Sequence, residues 1–370
     1  MRSNDTSWKF KVRHTGIAEG RAHRLHGLKE VILRLETERS ILRPPQDLLE
    51  GRYVMLVSEQ GSPKRSIVYK AGSLRDKLVT LLNASYPRLL AVYPLHQYVE
   101  YLDAYPEIAS YLYMSREVKE YCDSISRESS TQALEMYHKL VLLTLILRAQ
   151  EQLKPCRLPL DIKSLYEENF ERIVLDIQLD SEPSGFYLYP RFCKELALCA
   201  LRLIPAGAQK ICQHGLPRRY FLRKKPGEFL TVVRLLLDLK GFKPIYEMHT
   251  DSRDLKAMLL FTPKGWMEFY RRVAALLELY PTVKGLSGNG WFFDPQLEYI
   301  SPELAYLRQL AVHNGGTVLC LGRCNANGIQ DAIRFSPTRK QLYLNGKYMP
   351  TNYLVVWPRK RLIAWAHSHR

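Results

Sequence analysis

From residue 227 to the end, strand and helix signals take turns, and that alternation constrains the fold more than any other feature of the chain. EFLTVVRLLLDLKG reads as a helix closed by Gly241, and FKPIYEMH as a strand. TPKGWMEFYRRVAALLELYP reads as a helix with Thr262 as N-cap and Pro263 at its first position. Its apolar residues Trp266, Phe269, Tyr270, Val273, Leu276, Leu277 and Tyr280 form one stripe that must face a core. TVKGLSG is the next strand, SPELAYLRQLAVHNGG a second capped helix, TVLCLGR a third strand and NYLVVWP the last. The pattern predicts a layered α/β domain over 226–370.

Upstream the signals are mainly helical. GLKEVILRLETERSIL (27–42) has helical spacing, and GRYVMLVSE (51–59) with RSIVYKAG (65–72) reads as a hairpin. Eight tyrosines fall between 85 and 121, where Pro87, Pro94 and Pro106 cut the chain into short helices. Tyrosines at this density either pack such helices together or line a groove. Residues 131–153 form one strong helix and 190–204 another, with an alternating strand in VLDIQLD between them. The expected fold class is mixed α/β with a mostly helical N-terminal half. The expected divisions are 1–125, a mixed region with Tyr-rich helices, 126–225, a helical region, and 226–370, the α/β domain carrying the site.

Composition sets the class of partner. The 370 residues are 46% hydrophobic and 25% charged, an ordinary globular balance, but the net charge is +17. Such a surplus draws phosphate-bearing partners: a phosphorylated small molecule, nucleic acid or anionic lipid. HGLPRRYFLRKKPGEF (214–229) is the most basic short run and contributes Arg218 and Arg219. No nucleic-acid-binding motif accompanies the charge. Seven cysteines, none in C-x-x-C, fit a reducing compartment better than a disulfide framework. The longest apolar run, LVLLTLIL (140–147), is too short for a bilayer span of roughly 20 residues. The expected location is cytoplasmic.

YEMHTDSRDL (246–255) puts Glu247, His249, Asp251 and Arg253 at every second position, so an extended chain shows them on one face. Ligands of α/β domains bind beyond the carboxyl ends of strands, and this row sits at such an end. His249, Glu247 and Asp251 are the candidate catalytic residues, His249 or Glu247 serving as base. Arg253, Arg218 and Arg219 could hold an anionic group. GLSGNGWFFDP (285–295) ends the next strand, and Gly285, Gly288, Asn289 and Gly290 could form an anion-holding nest, with Trp291 and Asp294 contacting substrate. No metal is assigned to these residues in this reading.

Two resemblances follow from the same residues. Small mixed strands, a histidine or glutamate at a strand end and a basic chain resemble the Gcn5-related N-acetyltransferases. In place of that family's pyrophosphate signature the chain offers GLSGNG and HGLPRRYF. The resemblance implies an acyltransferase or related transferase taking a phosphorylated donor such as acyl-CoA, with a small-molecule or protein amine or hydroxyl as acceptor. His249-x-Asp251, His313 and Arg323 are similar to the iron- and 2-oxoglutarate-binding residues of the Fe(II)/2-oxoglutarate oxygenases. That resemblance implies bound iron. A third reading is a non-enzymatic basic protein engaging nucleic acid or a protein partner.

Overall fold

The computed structural model describes residues 66–218, 226–251, 254–334 and 336–369. The helix expected at 27–42 and the strand at 51–59 lie outside these. Among the described residues the fold is mixed α/β: fifteen α-helices, two short 3-10 turns and one six-stranded sheet.

Seven helices come first: α1 (Ile67–Ser85), α2 (Leu89–Val92), α3 (Leu95–Asp103), α4 (Arg116–Glu128), α5 (Thr131–Leu153), α6 (Leu160–Leu179) and α7 (Cys193–Cys199). Helix α5 is apolar on nearly every side, so it can only be a central helix. Twelve of its residues are buried, and Ser130 caps it by accepting from the Ala133 amide at 3.0 Å. The tyrosines pack the short helices against α5: Tyr98 and Tyr121 meet each other and Tyr137 in edge-on or tilted contacts. No helix of the described residues is long and apolar enough to cross a membrane.

The sheet is built from β1 (Leu203–Pro205), β2 (Lys210–His214), β3 (Ile245–His249), β4 (Gly285–Gly290), β5 (Thr317–Arg323) and β6 (Thr351–Pro358). Its order is β1-β2-β3-β4-β6-β5, antiparallel except for the parallel pair β3–β4. Strands β1 and β2 precede residue 226, so the sheet runs across that position, and Ser66–Arg370 forms one compact unit. Between and after the strands come α8 (Pro226–Leu239), α9 (Leu255–Leu259), α10 (Pro263–Leu279), α11 (Leu297–Ile300), α12 (Tyr306–His313), α13 (Ala326–Arg334), α14 (Pro337–Leu344) and α15 (Arg359–Ser368).

Strand periodicity sorts the side chains into two layers. Tyr246, Met248, Leu286, Val355 and Trp357 join the apolar stripes of α10 and α15 in the main core. Ile245, Leu319, Leu354 and Val356 face the other way and pack with Val232, Leu235 and Leu239 of α8. Of the odd-numbered residues of β3, only Ile245 belongs to that second cluster. Glu247 and His249 continue its row without joining it, and this leaves polar side chains at the carboxyl end of the strand.

Several expectations need correction. Residues 66–72 begin helix α1 instead of a strand; Ser66 caps it by accepting from the Tyr69 amide. VLDIQL is the last part of α6 and Asp180 its C-cap, because Phe170, Ile173, Val174 and Ile177 form a buried helical stripe that overrides the local alternation. The helix expected at 190–204 is confined to 193–199, and β1 follows it. Ser301 and Pro302 start a 3-10 turn, and helix α12 begins only at Tyr306.

Candidate functional site

Strands β3 and β4 stay in register only at Tyr246↔Leu286 and Glu247↔Ser287. Past that point β3 keeps its pairing with β2 through His249, and β4 keeps its pairing with β6 through Gly290. The two parallel neighbours therefore part at their carboxyl ends. A pocket of about 200 Å³ opens there. Glu247, Met248 and His249 line it from β3 and Thr250 from just beyond that strand, Asn289 and Phe292 from β4 and the turn after it, and Gln209 from just before β2.

The remaining walls come from the helical half. Tyr111 sits between α3 and α4, and its ring meets the His249 ring edge-on. Lys194, on α7, donates from Nζ to the Thr250 carbonyl at 2.5 Å and lies 5.8 Å from the Tyr111 ring centre. Nothing in the local sequence of either residue marks it as part of a site; the tertiary fold brings both to the end of β3.

Pairing with β2 adds two groups that the sequence analysis missed. Cys212 lies opposite Glu247 and His214 opposite Ile245, on the face that carries His249. His249 Nε2 is 3.1 Å from Cys212 Sγ and 4.0 Å from Glu247 Oε2. The same Glu247 oxygen is 3.1 Å from His214 Nδ1. One signal could have found them: KICQH alternates polar side chains just as YEMHT does, and two such rows on neighbouring strands meet.

The charges sort themselves by burial and contact. Burial pushes the His249 imidazole down to about 4, with Glu247 opposing and Lys194 and His214 assisting. At neutral pH the ring is therefore uncharged, and its 4.0 Å approach to Glu247 is not an ion pair. Burial works to raise the Glu247 carboxyl, but the His214 hydrogen bond and the two nearby imidazoles outweigh it and hold the group below its usual value. His214 is pushed up by that same hydrogen bond, which makes it the closer partner of Glu247. Burial raises the Cys212 thiol to about 12, with Glu247 adding to the rise.

The other expected site residues are scattered. Asp251 is 4% exposed and accepts from Lys210 Nζ at 3.1 Å; Lys210 also reaches Asp254 at 2.9 Å. This is a buried ion cluster beside the pocket, outside its lining. Arg218 is exposed and stacks on Phe242, at the end of β3 remote from His249. Arg219 and Arg253 lie outside the described residues. Gly285–Gly290 is itself a strand, not a nest, since its backbone pairs along β6. Its glycines answer to close packing. A Cβ on Gly285 would lie 2.4 Å from the Trp357 carbonyl oxygen, and one on Gly288 would lie 2.2 Å from Met248 Cγ. Trp291 stacks with Arg339, and Asp294 is 1% exposed and accepts from the Gln296 amide. Phe292, between them, is the residue that reaches the pocket.

The oxygenase reading does not survive these placements. The sheet is a single mixed layer flanked by helices, not a double-stranded β-helix. Asp251 is held by Lys210. Among the described residues, the group that could hold a metal ion contains His249, Cys212 and Glu247, and neither Asp251 nor His313 belongs to it.

No protein-family model matches the chain, and no curated protein matches it. Among solved structures, the crystal structure of an acyltransferase in complex with decanoyl-CoA aligns with 78% of this chain and 98% of its own. Its TM-score is 0.40 and its identity 13%, a distant similarity from which no residue role is carried over.

Proposed function

We propose that this protein transfers an acyl group from a coenzyme A thioester to an amine. The observation that carries the reading is the parting of β3 and β4 after Glu247↔Ser287, with an uncharged histidine beside the gap. Backbone groups of parallel strands that stop pairing can bind an extended amide-bearing chain as a third strand binds. The pantetheine arm of coenzyme A has two amides and suits such a slot. Its thioester end would then point at the pocket of Glu247, His249 and Asn289.

The acid–base character favours an amine over a hydroxyl. A base as weak as His249 removes an alcohol proton poorly. It readily takes one from the ammonium-like nitrogen formed when an amine attacks a thioester carbonyl. The resulting imidazolium is a strong acid and passes the proton to the departing thiolate. The nitrogen–carbon bond forms, the carbon–sulfur bond breaks, and free coenzyme A leaves as the thiol. Glu247, ionised at neutral pH, can accept a hydrogen bond from the neutral amine and orient its lone pair, and His214 fixes the carboxylate.

The test offers a panel of acyl-CoA thioesters with primary amines, following free thiol and product mass. Saturable binding and amine-dependent thiol release are expected, with His249→Ala lowering kcat at least about 100-fold while donor Kd changes little. Absence of saturable binding by every thioester would overturn the reading.

A further inference from the structure

Three side chains from two strands bring a sulfur, a carboxylate and an imidazole together at the pocket wall. Their ligand atoms all lie within 4.8 Å of one another. Zinc bonds of about 2.3 Å to sulfur and about 2.0–2.2 Å to nitrogen or oxygen set tetrahedral ligand separations of roughly 3.4–3.6 Å. The two distances to His249 Nε2, 3.1 Å from Cys212 Sγ and 4.0 Å from Glu247 Oε2, fall on either side of that value. Small rotations about the side-chain bonds close the difference. We propose that Cys212, Glu247 and His249 bind a divalent cation of the zinc class, with the fourth coordination position open to the pocket.

The chemistry of the set selects the ion. A thiolate with an imidazole favours zinc over magnesium or calcium. One thiolate and one carboxylate supply two negative charges, which neutralise a divalent ion in a site where Cys212 is 1% exposed. The thiol proton leaves to solvent as the metal–sulfur bond forms. An outer contact holds one of the ligands as metal sites require: His214 Nδ1 bonds the Glu247 carboxylate at 3.1 Å. The pocket gives the ion a route, since Glu247 and His249 both line it. Bound metal occupies the Nε2 lone pair, so it would block proton transfer by His249; that consequence rests on the transfer reaction proposed above, whereas the binding does not.

The experiment titrates the untagged, metal-stripped chain with cobalt(II) alone and then with zinc, without any thioester. One equivalent of cobalt is expected to give a near-ultraviolet thiolate-to-metal charge-transfer band that zinc abolishes. Cys212→Ser should remove the band. Glu247→Gln and His249→Gln should each weaken binding at least about tenfold, while Cys320→Ser, at an exposed cysteine, should leave it unchanged. Thermal melts establish that each variant is folded, and His249→Gln at the pocket edge decides the matter if Cys212→Ser does not fold. A missing band, a band that survives Cys212→Ser, or affinities unchanged by both pocket variants would overturn the site. None of these outcomes depends on acyl transfer.

Discussion

Tyr111 presents its ring to His249 edge-on, with centroids 4.6 Å apart and planes at 68°, and so closes the helical half of the protein over the end of β3. Burial is the main reason that His249 loses its charge. Removing the phenol ring should therefore rehydrate the imidazole. In the metal-free protein, Tyr111→Ala is expected to move the His249 titration upward from about 4 toward the usual 6.5. Histidine ring proton shifts followed by NMR across pH 3–8 would measure this. An unchanged midpoint would assign the depression to Lys194 and His214 instead.

A second buried histidine predicts the response of stability to acid. His138 is 1% exposed and stacked on Phe192. Its Nδ1 lies 2.6 Å from the Tyr187 carbonyl oxygen, which can only accept, so Nδ1 carries the proton of the neutral ring. Burial pushes this group down to about 4, with the Tyr187 bond opposing. The unfolded chain takes up a proton near 6.5 and the folded chain does not until about 4. The contribution is thus fully present above pH ~6.5 and is lost as pH falls toward ~4, on the order of 3 kcal/mol in all. Urea midpoints should fall more steeply for wild type than for His138→Gln as pH is lowered through this window. Identical slopes in the two proteins would refute the assignment.

Lys210 bonds both Asp251, at 3.1 Å, and Asp254, at 2.9 Å, and all three are buried. Lys210→Met keeps the length of the side chain and leaves two carboxylates facing each other. A loss of about 3–5 kcal/mol is expected at pH 7. Burial works to raise Asp254, but Lys210 and the Ala257 amide hold it below its ordinary value in the wild type. Its stabilisation is therefore present above the unfolded carboxyl value of ~3.9 and is lost only below it. In the variant both carboxyls should protonate at higher pH, so the deficit should shrink by pH 4.5. Chemical denaturation at the two pH values tests this; a deficit equal at both would show that charge is not its cause.

Two glycines of β4 should respond differently to the same substitution. At Gly285 a methyl group would meet backbone: the Trp357 oxygen at 2.4 Å and the Arg359 nitrogen at 3.1 Å. At Gly288 the obstacle is the Met248 side chain, which can rotate. Gly285→Ala is expected to cost about 2–4 kcal/mol, and Gly288→Ala about 1 kcal/mol. Equal unfolding midpoints for the two variants would contradict the packing described here.

The parts of this fold that could be read from sequence are those where one period dominates a long enough stretch. Helix α5 and helix α10 match their sequence patterns nearly to the residue, as does strand β5. The failures have a common physical cause. Residues 67–72 of the first run and 174–179 of the second each carry two β-branched residues in a short stretch, and each is one end of a helix that extends well beyond it. At the site, Glu247 and His249 were legible because strand alternation alone puts them on one face. Cys212 and His214 needed the additional knowledge that β2 lies beside β3. Tyr111 and Lys194 were illegible, since only the docking of helices onto the sheet carries them there. Asp251 misled because the strand ends at His249 and the alternation ends with it.

The order of the sheet also bears on how these molecules behave together. One margin is β1, three residues long and ending in Pro205, which has no amide hydrogen to offer a neighbour. The other is β5, whose ladder slips between Cys320 and Gly322, where Gly322 takes a φ of 103°. Neither rim offers the long, flat row of free backbone groups on which chains template fibrils. Crowding this protein at high concentration should therefore not drive continuous cross-strand growth from either of these two rims.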